Sequence, residues 1–124
     1  RQIAPPNVTF ICESPSFEEL AHYIRKSAFV LAPYCPDSVL SSGILMDSLS
    51  FGSKIIGPEV GSFKDYAREK RLNVYTFHDY EDIEKTVACY KTTPISLEDY
   101  RSFLNENNWE HFGNRIIKLV KSLK

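Results

Sequence analysis

Between Ala28 and Tyr66, short apolar runs alternate with small, turn-forming residues in a repeating order. Phe29-Val30-Leu31-Ala32 is closed by Pro33, and a loop with a second proline and Asp37 follows. Ser41-Ser42-Gly43 then opens an apolar segment that ends at Phe51-Gly52. Ile55-Ile56 is stopped by Gly57-Pro58, and Gly61-Ser62 opens the next segment. Runs of four apolar residues are too short for buried helices, and the longer segments carry helical spacing. The stretch therefore reads strand, loop, helix, strand, loop, helix. Small residues stand where each strand hands over to a helix, which is where α/β proteins hold anionic ligands.

The flanking sequence extends the alternation. Asn7–Cys12 is β-branched and aromatic, which predicts a strand. Ser16 with Glu19 predicts a capping box ahead of Phe17, Leu20, Ala21 and Ile24, with the helix ending near Lys26. Ala28–Ala32 is continuous enough to predict a strand covered on both faces. Ser41 or Ser42 caps the central helix, and Gly52 suits a left-handed helix stop. Lys54–Ile56 and Asn73–Phe77 are further strands. Ser62 with Asp65, Asp79, and Ser96 with Asp99 mark helix starts. Asn107-Asn108 breaks the tail before a last helix with Trp109, Phe112, Ile116, Val120 and Leu123 aligned. The expected fold is α/β: a Rossmann-like parallel sheet of about four strands flanked by helices, with a helical carboxy-terminal tail.

At 124 residues the chain forms a single domain, 1–124. Its net charge of -1, with no long run of one sign, argues against nucleic-acid binding driven by phosphate neutralisation. No apolar stretch reaches the roughly 20 residues of a membrane span. Cys12, Cys35 and Cys89 are odd in number and widely spaced, so neither a disulfide framework nor a zinc site is expected. Cys12 and Cys89 are expected to be buried. His22, His78 and His111 are scattered and form no metal-ligand pattern.

Three places are candidates for chemistry. At Ser41-Ser42-Gly43, free amides and the helix dipole make an anion site, and Gly43 lets a phosphate approach the backbone. The alternative is that the serines only cap and the glycine only fits. Asp47, one turn later in an apolar helix, either accepts hydrogen bonds from a ribose hydroxyl or lies on the wet side without a role. Gly57–Ser62 joins a strand to a helix start, so Gly61 and Ser62 should line the same rim, as ligand contacts or as a plain cap. Neither G-x-G-x-x-G nor G-x-x-x-x-G-K-[ST] is present.

Taken together, Ala32-Pro33-Tyr34, Ser41-Ser42-Gly43, Asp47, Phe51-Gly52, Ile55–Pro58 and Gly61-Ser62-Phe63 resemble the carboxy-terminal, donor-binding domain of GT-B fold glycosyltransferases. This is the group that includes glycogen synthase-like and sucrose synthase-like enzymes. The likeness runs from about Asn7 to the final helix, which begins, as the family's last helix often does, at a Trp. It implies that the chain is most of one domain of a two-domain enzyme and is inactive alone. The implied reaction transfers a sugar, of hexosyl type, from a nucleotide-diphospho sugar to an acceptor hydroxyl in glycan or polysaccharide biosynthesis. The amides of Ser41, Ser42 and Gly43 would hold the donor diphosphate, and Asp47 would grip the ribose. Glu13, Asp37, Ser38, Gly61 and Ser62 would complete the rim, with Glu13 near the nucleobase. Val39 stands where the family's paired-acid motif has a Glu, so no catalytic residue is assigned.

The resemblance implies no metal and no cofactor, the nucleotide sugar being substrate. A glycan or lipid-linked acceptor would bind through an amino-terminal domain. The implied location is cytoplasmic, peripheral to the inner face of a membrane in the full-length enzyme. Missing elements would leave an exposed apolar face able to drive dimers. The rival readings are a nucleotide-sugar epimerase of the same fold and a non-enzymatic α/β interaction module.

Overall fold

The computed structural model describes residues 4–38 and 42–124. Helix α1 (Phe17–Lys26) leads into strand β1 (Val30–Leu31). A 3-10 turn (Pro36–Ser38) and helix α2 (Gly43–Ser50) follow, then β2 (Ile55–Pro58), α3 (Gly61–Tyr66) and β3 (Val74–Phe77). Helices α4 (Glu81–Tyr90), α5 (Leu97–Glu106) and α6 (Trp109–Ser122) close the chain. The strands form one parallel sheet in the order β1-β2-β3. The α/β class and parallel sheet expected from the alternation are present, with three strands among the described residues instead of about four.

The missing strand is Asn7–Cys12. It joins no ladder, and Val8, Phe10 and Ile11 are exposed. Strand preference largely measures packing against cross-strand neighbours, and no described residue supplies those neighbours here. β1 is correspondingly an edge strand, tied to β2 by Val30 N–H to the Lys54 carbonyl (2.8 Å) and Ala32 N–H to the Ile56 carbonyl (2.9 Å). Leu31 is exposed, so the expectation that Ala28–Ala32 is covered on both faces does not hold.

The helix ends follow their local signals. Ser16 and Glu19 form the capping box (2.7 and 3.2 Å), and the Ser16 amide holds the Glu19 carboxyl below its usual range. Ser42 caps α2, Ser96 caps α5 and Asn108 caps α6. Gly52 has φ 68° and ends α2 in the left-handed region. Two starts differ. Asp79 does not cap α4: the Asp82 carboxylate reaches back to the His78 and Asp79 amides instead (3.4 and 3.3 Å). Ser62 lies inside α3, whose N-cap is Val60.

Register places Val30, Ile55 and Val74 on one face of the sheet and Leu31, Ile56 and Tyr75 on the other. The first face joins the main core, where Ile55 and Val74 meet Leu45 and Leu49 of α2, Phe63 of α3, and Tyr100 and Phe103 of α5. On the second face Tyr75 stacks on Tyr90 of α4, ring centroids 4.0 Å apart. Buried Lys54 ties that helix down by donating from Nζ to the Tyr90 and Lys91 carbonyls (2.7 and 3.1 Å). Arg71 pairs with Glu69 and Glu106, joining the α3–β3 connection to α5.

All three cysteines are exposed, against the expectation for Cys12 and Cys89. Cys12 is on the unpaired segment. Cys89 is on the outer side of α4, whose inner side carries the half-buried Ile83, Thr86 and Val87. No helix among the described residues is long and apolar enough to cross a membrane.

Candidate functional site

In a parallel sheet all strands deliver their following loops to the same edge. Here that carboxyl edge receives Ala32-Pro33-Tyr34 from β1, Glu59–Gly61 from β2 and His78-Asp79 from β3. Open α/β sheets bind ligands along this edge. A groove of about 300 Å³ lies beside it, lined by Ser42, Gly43 and Met46 of the α2 start and Ser62 and Tyr66 of α3. Ser42, Gly43 and Ser62, from two handovers separate in sequence, therefore line one groove, and Gly61 is not among its lining residues.

At the α2 end of the groove, Ser42 Oγ accepts the Leu45 amide (3.4 Å). Its hydroxyl is thus committed to the helix. The first-turn amides, lacking carbonyl partners four residues earlier, are what this end offers to an anion. A Cβ built on Gly43 meets nothing within 4 Å. Packing therefore does not require glycine at this position, and the missing side chain leaves the backbone open to the groove.

At the α3 end, Gly61 has φ 51°, a left-handed conformation that favours glycine and turns the chain into the helix. The Ser62 hydroxyl is shielded from solvent and has no hydrogen-bond partner among the described residues. A buried hydroxyl without a partner carries a desolvation cost of roughly 1–3 kcal/mol. Ser48 Oγ, on the inner side of α2, is in the same condition. Only Ser62 of the two lines the groove.

The remaining predicted residues are less closely gathered. Asp47 is half-buried, one turn along α2 from Gly43 and on the same side of the helix. Its carboxylate makes no hydrogen bond or ion pair among the described residues. Asp37 is exposed in the 3-10 turn that also contains Ser38. Glu13 is exposed in the bend after the unpaired segment and lines no groove described here. Ser41 lies outside the described residues. Beside the rim, Glu59 pairs with His78 Nε2, linking the loops after β2 and β3.

Met46 and Tyr66 also line the groove and were not singled out from the sequence. Their signal was positional. Met46 is three residues after Gly43 and Tyr66 is four after Ser62, so each shares a helix side with a predicted residue. A second groove of about 310 Å³, between α3 and α5 at Asp65, Tyr66, Arg68, Glu69 and Phe103, holds none of the predicted residues. No group of three or more metal-ligating side chains occurs among the described residues.

No protein family, curated protein or solved structure matches this chain.

Proposed function

We propose that this chain is most of the donor-binding domain of a GT-B fold glycosyltransferase. In this reading it holds the nucleotide-diphospho sugar whose sugar passes to an acceptor hydroxyl. The observation that carries the reading is that Ser62, whose hydroxyl is buried and has no hydrogen-bond partner among the described residues, lines the groove that begins at Ser42-Gly43. A polar atom kept there at a cost to stability has a use if a ligand oxygen completes it. The open backbone at Gly43 adds to this, because a diphosphate binds amides at a helix start only where no side chain intervenes.

The first-turn amides of α2 hold one phosphate and oppose the negative charge that builds on the leaving diphosphate. Ser62 donates to a second phosphate oxygen. Asp47, with no protein partner among the described residues, accepts from the ribose hydroxyls. Asp37 and Ser38 belong to the outer rim toward the sugar. The acceptor site and the cations that neutralise the diphosphate would come from elements outside this chain, and the chain alone would not turn over.

The test is titration of nucleoside diphosphates against the wild-type protein and its Asp47→Ala and Ser62→Ala variants. Weaker binding in both variants, with the fold retained, supports the reading. Binding that neither substitution changes would move the ligand elsewhere.

A further inference from the structure

Helix α6 is the longest helix described and has no buried residue. Trp109 is 85% exposed, and Phe112, Ile116, Ile117, Leu119, Val120 and Leu123 are all exposed. At 3.6 residues per turn these seven side chains fall within an arc of about 160°. Glu110, His111, Asn114, Arg115, Lys118, Lys121 and Ser122 fill the other side without interruption. The helix is thus divided cleanly along its length, and among the described residues nothing buries its apolar half.

Its charge is equally one-sided. Residues 109–124 carry Arg115, Lys118, Lys121 and Lys124 against the single acid Glu110, a net of +3 in a chain whose total is -1. The remaining residues are therefore net acidic, and the basic character is concentrated on the helix with the open apolar face. Arg115 flanks the apolar arc on one side, Lys121 with Glu110 flanks it on the other, and Lys118 lies opposite its centre. A helix resting on its apolar half would hold Arg115 and Lys121 close to the level where the apolar surface meets water.

From this we propose that α6 is an interfacial helix that lays its apolar face into the surface of an anionic lipid bilayer. Trp, Phe and Leu on one face and basic residues on the other are what such a helix needs. The aromatic pair Trp109 and Phe112, in edge contact at 5.7 Å, sits at its amino end, and long basic side chains at the arc's margins extend to the headgroups. A second copy of the chain is the poorer occupant, because pairing two such helices, each net +3 over residues 109–124, sets like charge against like. A single helical groove on a protein partner would cover a narrower stripe than 160°. The inference rests on α6 alone and is independent of the nucleotide groove.

The chain contains one tryptophan, Trp109, so its fluorescence reports the helix directly. Vesicles of phosphatidylcholine, with and without phosphatidylglycerol, are added to the chain and the emission is followed. A blue shift with the anionic vesicles, quenching by brominated acyl chains and weakening at high salt are expected. Lys121→Glu with Lys124→Glu should lower the affinity by roughly 25-fold or more, about fivefold for each basic residue removed. Three results overturn the proposal: no shift with anionic vesicles in a chain whose circular dichroism is unchanged; equal binding to neutral vesicles; or an emission already blue-shifted without vesicles and dependent on protein concentration, which would place a second copy on the face.

Discussion

The Tyr100 hydroxyl accepts a hydrogen bond from the backbone amide of Asn73 at 2.9 Å, joining α5 to the start of β3. The same hydroxyl is within donating distance of the Ser53 carbonyl (3.0 Å) and Asn73 Oδ1 (3.1 Å). Tyr100 is 2% exposed. One side chain therefore satisfies buried backbone groups beside β2 and β3, and positions the sheet whose carboxyl edge forms the groove.

Removing that hydroxyl by Tyr100→Phe leaves the Asn73 amide buried without its partner. The expected loss is about 1–3 kcal/mol of unfolding free energy. Urea denaturation should show an earlier midpoint with an unchanged slope.

Burial pushes the Tyr100 phenol from 10.0 up to about 12, more than the Asn73 hydrogen bond lowers it. In the unfolded chain the phenol ionises near its ordinary value, so the unfolded state gains from rising pH before the folded state does. This contribution to stability is complete below pH 10 and is lost between about pH 10 and 12. The pH dependence of the unfolding midpoint should therefore be steeper in that window for the wild type than for Tyr100→Phe.

Gly57 is needed by its neighbour. A Cβ placed there would lie 2.3 Å from the Phe63 ring, which is fully buried. Gly57→Ala forces Phe63 off its seat and should cost about 1–3 kcal/mol or more. A lowered melting temperature would accompany a disturbed α3 end of the groove.

Ser62→Ala has the opposite expectation for stability. The hydroxyl it removes is buried and has no partner among the described residues, so the variant should be as stable as the wild type or slightly more so. If that hydroxyl serves a phosphate, nucleotide binding should weaken by about tenfold or more, the value of one hydrogen bond to a charged group, ~1.5–3 kcal/mol. A stability gain with a binding loss separates a ligand contact from a packing role.

Much of the architecture was legible because its signals are local. The capping serines at 16, 42 and 96, the Gly52 stop and the Asn107-Asn108 break depend only on nearby residues, and each falls where the spacing placed it. The strand at Asn7–Cys12 was not legible, because pairing depends on a neighbour that the segment's own residues do not specify. The cysteines failed for a related reason, since an apolar segment is buried only when something packs against it. At the groove, the shared rim of Ser42, Gly43 and Ser62 followed from parallel topology. That Ser62 lies inside α3 with an idle hydroxyl, and does not cap it, depends on where Val60 starts the helix.

In the proposed function, the Ser42–Gly43 and Ser62 groove binds the diphosphate of a nucleotide sugar. Calorimetric titration of UDP and GDP into the complete donor domain proposed for this chain, wild type and Asp47→Ala, tests it most directly. Binding of one of the two nucleotides, weakened by the Asp47 substitution, is expected. A folded, complete domain that binds neither would contradict it and leave the three-stranded α/β fold without this function.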